Sequence, residues 1–185
     1  MPQVSADVYV PVPPELAFAV SQTTGQVRLR WDPFIRRQFF LDGATAPGPG
    51  VRTKTFARLG PSMVSEYASY RPPTSVGMTM VRGPWFFSRF GGGWRFEREG
   101  TGCRAVWKYT FDVRPDWLRP VGHRLGHWLL GREIRRRIHG FAKGCTDPVV
   151  VEAARALLAR VDDGALDEEA RREQRTLGHD LRYQQ

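Results

Sequence analysis

Around a glycine-bearing turn, Glu99-Gly100-Thr101-Gly102, this chain sets a large aromatic ring at every second position. Trp94 and Phe96 precede the turn, and Trp107, Tyr109 and Phe111 follow it, with Arg95, Glu97, Lys108 and Thr110 between them. A period of two is the side-chain spacing of a strand, and the turn converts the two runs into an antiparallel hairpin with one aromatic and one charged face. A sheet face this rich in rings needs a bulky cover. The covering element, or a ligand held between it and the sheet, is where function is expected.

The rest of the chain divides at its glycines and prolines. Val4 to Val12 reads as a first strand stopped by Pro13-Pro14. Pro14 suits the first turn of a short helix to Val20, and Glu15 favours its positive end. A second short helix is predicted from Gly25 to Leu29, closed at Trp31-Asp32-Pro33-Phe34, where proline disfavours helix at the residue before it. Strands are predicted over Ile35–Leu41, Val51–Leu59, Met63–Tyr70 and Ser75–Val81, then the aromatic hairpin. About seven strands joined by tight turns make a meander the simplest topology. From Pro120 to Lys143 the pattern becomes helical. Val121, Leu125 and Trp128 form one apolar stripe, and Ile134, Ile138, Phe141 and Cys145 another. At about 100° per residue the stripes do not align, which predicts a bend near Gly131 or a wider buried face including Leu129 and Leu130. Asp147-Pro148 restarts a helix to Val161 as N-cap and first helical residue. One domain is expected over residues 1–161, followed by a charged tail over 162–185.

Composition narrows the function classes. Two cysteines form no disulfide framework and no metal spacing, so reduced thiols in a cytoplasmic protein are expected. The first residues do not read as a secretory leader, and no apolar run approaches membrane-span length. The formal charge is +9, carried mostly by scattered arginines, and without a zinc-finger or RNA-recognition signature nucleic acid is not an expected partner. A lipophilic small molecule is the expected one, and a second copy of the chain is the other partner considered. His123 and His127 stand four apart without a third ligand, so no metal is predicted. Gly91-Gly92-Gly93 lacks the lysine of a phosphate loop and reads as a bulge or sheet bend. No cofactor is expected.

The order of elements is that of an α+β helix-grip fold, a curved antiparallel sheet of about seven strands wrapped around a long C-terminal helix. Val12-Pro13-Pro14-Glu15-Leu16-Ala17-Phe18, Trp31-Asp32-Pro33-Phe34, Trp94-Arg95-Phe96 and Trp107-Lys108-Tyr109-Thr110-Phe111 resemble the START-like, Bet v 1-like superfamily, in particular its bacterial polyketide cyclase/dehydrase-like members. The resemblance covers roughly residues 3–145. It implies an internal lipophilic cavity and no particular reaction, because members of the superfamily bind, carry or transform many ligands.

Two functions follow from these readings. The first is binding of a lipophilic, aromatic or polycyclic small molecule, with Met78, Met80, Trp94, Phe96, Trp107, Tyr109 and Trp128 as ligand-binding candidates. The second is a cyclase/aromatase that folds a poly-β-ketone for aldol condensation and dehydration. Glu66, Tyr67 and Tyr70 are its proton-transfer candidates. Which face of strand 63–70 points inward is open, since Met63, Ser65, Tyr67 and Ser69 alternate with Val64, Glu66, Ala68 and Tyr70 and neither set is clearly apolar.

Overall fold

A computed structural model of the chain describes residues 1–160. Its elements are strand β1 (Gln3–Val10), helices α1 (Pro14–Gln22) and α2 (Gly25–Trp31), and strands β2 (Ile35–Phe40), β3 (Arg52–Ala57), β4 (Ser62–Arg71), β5 (Ser75–Arg82), β6 (Phe87–Glu99) and β7 (Gly102–Val113). A single 3-10 turn (Asp116–Leu118) then leads into helix α3 (Arg119–Gly144). Residues 148–160 are helical again, with Asp147 Oδ1 accepting from the Val149 and Val150 amides as an N-cap does. The charged tail expected over 162–185 lies outside the described residues.

All seven strands form one antiparallel sheet in the order β1-β7-β6-β5-β4-β3-β2. The six strands β2 to β7 are the expected meander. β1 departs from it, because α1 and α2 carry the chain across to the far edge of the sheet and leave β1 to pair with β7. The hairpin β6–β7 is the centre of the sheet's ring-bearing face. Its register sets Trp94 opposite Trp107, and sets large rings opposite small residues: Phe96 faces Ala105 and Tyr109 faces Gly92. That alternation lets rings lie flat across the pair; the Trp94 and Trp107 rings stack at 4.1 Å. Gly100 turns the hairpin with φ +57°, a left-handed conformation that glycine adopts without a Cβ penalty.

Helix α3 runs unbroken through Gly131, and it grips the sheet by close backbone approach. Gly122 lies against Val113 and Gly126 against the Phe111 ring, and the buried stripe continues through Ile134, Arg137, Ile138 and Phe141. The stripe Val121, Leu125 and Trp128 therefore faces solvent, with Trp128 58% exposed. An apolar stripe marks a core-facing side only where side chains fill the gap; here aromatic rings from the sheet already fill it, and glycines turn inward to admit them.

Gly140 shows how tight this grip is. A methyl group there would overlap the Trp31 carbonyl oxygen. Gly140→Ala should therefore lower the denaturant midpoint, although alanine is favoured over glycine inside a helix by about 1 kcal/mol. An increase in stability would show that α2 and α3 do not meet at this position.

Candidate functional site

Between the ring-bearing sheet face and α3 lies a cavity of about 140 Å³, partly open to solvent. That is room for roughly one benzene-sized ring. Its walls are mostly apolar, from Met63, Met78, Met80, Trp94, Trp107 and Leu130, and Gly91, Gly92 and Gly93 form part of one wall. These glycines stay in register with β5 and β7, and the irregularity in β6 falls between Phe87 and Arg89 instead. Of the bulge or sheet bend read from sequence, the bulge is excluded by this unbroken register, and the glycine run is part of the cavity wall. A side chain at Gly92 would collide with the Tyr109 ring.

Two arginines, Arg28 and Arg137, line the polar end of the cavity, and one aspartate behind the lining holds them. Asp32, directly after α2, is fully buried. It accepts from Arg28 Nε at 2.9 Å, and from Arg137 Nε at 3.0 Å and Nη2 at 2.6 Å. Arg28 Nη1 also donates to the Ser21 carbonyl at 2.5 Å. Arg137 Nη1 donates to the Tyr109 hydroxyl at 2.5 Å. The Arg137 guanidinium lies between the Phe34 and Trp107 rings, 4.7 and 4.2 Å from their centroids. Burial alone would raise the Asp32 carboxyl; Arg137 and then Arg28 outweigh it and hold the group below the usual carboxylate range. Burial pushes the Tyr109 hydroxyl up to about 12, with Arg137 opposing. Since that hydroxyl accepts from Arg137, its own proton remains free to donate.

Two further polar atoms in this wall have no protein partner among the described residues. Thr53 Oγ1 and Glu133 Oε1 are both buried without a hydrogen bond. Buried polar atoms are almost always paired, and these two belong to residues of the cavity lining.

The sequence candidates divide on this geometry. Met78, Met80, Trp94, Trp107, Tyr109 and Tyr67 line the cavity. Tyr67 donates to Gln22 Oε1 at 3.2 Å, and burial raises its hydroxyl to about 12. Four candidates are corrected. Glu66 points away from the cavity and pairs with Arg52 on the neighbouring strand at 2.9 Å, an exposed cross-strand ion pair. Tyr70 packs edge-on against Phe18 and Tyr67 outside the cavity wall. Strict alternation would put Tyr67 and Tyr70 on opposite faces, but the β4–β5 register skips at Ala68, which brings the two rings together. Phe96 is core, wedged between Phe18, Trp94 and Phe141. Trp128 faces solvent.

Sequence reading missed Arg28, Asp32, Thr53, Glu133 and Arg137. One signal was available: Arg137 falls in phase with Ile134, Ile138 and Phe141, a charge in the middle of an apolar stripe. A second was Arg28 and Asp32 at the i, i+4 spacing of a helical ion pair.

Comparison with known proteins follows the same line as the geometry. A family model described as polyketide cyclase/dehydrase and lipid transport matches residues 1–145. No curated protein matches the chain in sequence. Among solved structures, TTHA0849 from Thermus thermophilus is similar at a TM-score of 0.65 and 19% identity, over 83% of this chain and 99% of that one. A START superfamily protein from Mycobacterium smegmatis is similar at 0.61 and 12%, over 76% and 97%. The di-domain ARO/CYC BexL from the BE-7585A biosynthetic pathway is similar at 0.62 and 13%, over 80% of this chain and 48% of that one. At these identities the likeness shows the helix-grip fold.

Proposed function

We propose, since the chain belongs to the polyketide cyclase/dehydrase and lipid transport family, that it binds a lipophilic, ring-bearing small molecule with an oxygen substituent inside the cavity between sheet and α3. The observation that carries this reading is that Thr53 Oγ1 and Glu133 Oε1, on two residues of a mostly apolar wall, are buried without a protein partner among the described residues. An apolar pocket with a few placed polar groups is the usual form of a small-molecule site. A ligand hydroxyl would donate to Glu133, and a ligand carbonyl would accept from Tyr109 or Thr53. The volume suits one ring; a polycyclic ligand would extend through the open side. The proposed setting is the cytoplasm, consistent with Cys103 and Cys145, both free, buried and with thiols raised above the ordinary range by burial.

Thr53→Val tests the binding reading. The hydroxyl has no protein partner to lose, so stability should hold within about 0.5 kcal/mol. Affinity for a naphthol-type probe, followed by tryptophan quenching, should fall about fivefold, the equivalent of one hydrogen bond of about 1 kcal/mol. A stable variant with unchanged affinity for naphthol and every related oxygenated ring would remove Thr53 from the site. Failure of the wild-type chain to bind any such ring would sink the reading itself.

A second reading is catalysis: aldol condensation and dehydration of a poly-β-ketone held in the same cavity. It is supported by ionisable groups in the wall, with Glu133 as proton acceptor and Tyr109, polarised by Arg137, as donor to a substrate carbonyl. If it holds, Glu133→Gln lowers turnover of a poly-β-ketone surrogate by about a hundredfold or more while probe affinity is retained. No turnover by wild type leaves binding as the function.

A further inference from the structure

The stripe that α3 turns away from the core belongs to a larger apolar surface. Trp117 is 77% exposed and Trp85 71%, and Phe86, Val121, Leu125, Trp128 and Leu129 are exposed as well. These residues come from two segments that meet. The loop before β6 is tied to the chain entering the 3-10 turn, with the Arg114 amide donating to the Phe86 carbonyl at 3.0 Å and Arg114 Nε donating to the Trp85 carbonyl. Val113 pairs with Phe87 directly beside them. An exposed cluster of large apolar residues at one end of a molecule marks a surface that is covered in use.

The charge around the patch identifies the cover. At about 100° per residue, Arg124, Arg132, Arg135 and Arg136 fall on the same side of α3 as Val121, Leu125, Trp128 and Leu129, and all four arginines are exposed. Among the described residues, carboxylates on this helix do not balance them. Between Arg114 and Lys143 the acidic residues are Asp116 and Glu133; Asp116 is paired with Arg119 at 3.0 Å, and Glu133 is in the cavity wall. A second copy of the chain fits poorly, because a two-fold pairing of this face would set the same arginines against one another with no free carboxylate on the same face among the described residues. Tryptophans projecting beside a row of arginines are the side chains that settle at a lipid headgroup boundary, where indole rings sit at the interface and guanidinium groups meet anionic headgroups.

We infer that the face formed by Trp85, Trp117 and the outward side of α3 docks on an anionic phospholipid bilayer surface. Docking is peripheral: no helix among the described residues is long and apolar enough to cross a membrane. The inference stands apart from the ligand reading, since none of these side chains lines the cavity.

Co-sedimentation of the full chain with vesicles tests it. The chain should pellet with vesicles of phosphatidylcholine and phosphatidylglycerol and not with phosphatidylcholine alone, and added salt should weaken the binding. Trp117→Ser with Trp128→Ser, and separately Arg132→Gln with Arg135→Gln and Arg136→Gln, should each lower the partition coefficient about tenfold or more. Thermal melts of both variants should match wild type, because the side chains are exposed. No pelleting with the anionic vesicles overturns the inference. So does pelleting that the tryptophan variant leaves unchanged, which would place the contact elsewhere. Sedimentation equilibrium showing a dimer that the tryptophan substitutions dissociate would assign the face to a second copy instead.

Discussion

Asp32→Ala should destabilise the protein by about 3–5 kcal/mol, the range for removing one partner of a buried ion pair. The carboxylate is fully buried and is engaged by two guanidiniums at once. Its removal leaves Arg28 and Arg137 buried side by side without their anion, and loosens the join between α2, α3 and Tyr109. The same geometry fixes a pH dependence. The folded-state pKa of Asp32 lies below its unfolded value, so the unfolded chain takes up the proton first as pH falls. The stabilisation is complete above an unfolded value of about 4 and is lost as pH drops below that toward the folded-state pKa. Asp112, Asp147 and Glu99 are also held low by hydrogen-bonded partners, His123, Arg30 and Arg104, but they lie at the surface, where salt screens them. Denaturant melts in high salt should therefore show a steep acid limb in wild type and a flatter one in Asp32→Asn. Equal acid limbs would mean that the triad adds nothing to folding.

Trp107→Ala should cost about 3–5 kcal/mol, the usual loss for a large aromatic removed from a packed interior. The ring is buried, stacks on Trp94, meets Tyr109 edge-on at 5.6 Å and supports the Arg137 guanidinium. It also lines the cavity, so probe affinity should fall with stability. Trp128→Ala, at the exposed stripe, should change stability by no more than about 0.5 kcal/mol, which makes it the matched control. Equal losses at the two positions in denaturant melts would show that the inward face of α3 or of β7 is assigned wrongly.

The contrast between these tryptophans shows which parts of the molecule the sequence made legible. Strands and turns were readable because glycine and proline mark their ends and because alternation is a local property. The aromatic face of β6 and β7 followed from the same rule, and with it the cavity lining from Met78, Met80, Trp94, Trp107 and Tyr109. Alternation stopped being a guide at Ala68, where one skipped residue moves Tyr70 to the side of Tyr67. Helical periodicity misled at Val121, Leu125 and Trp128, because whether a stripe faces a core depends on what opposes it. Here the opposing Phe111 and Val113 rule out any inward residue larger than glycine at positions 122 and 126. The polar end of the cavity was least legible. Arg28, Asp32 and Arg137 meet only after α2 has been laid across α3, and residues 32 and 137 are brought together by packing. Glu66 stood out in sequence as a lone carboxylate in a strand, but its cross-strand neighbour Arg52 claims it.

The central claim is that a ligand enters the space between sheet and helix. Methionine methyl spectra of the protein labelled at its methyl carbons test it directly. Met63, Met78 and Met80 line the cavity, while Met1 is exposed at the chain start and away from it. Titration with a bound naphthol-type ring should shift the Met63, Met78 and Met80 signals together and leave Met1 in place. Saturable quenching of tryptophan with all three cavity methionines unmoved would show that the ring binds elsewhere, and would contradict the account.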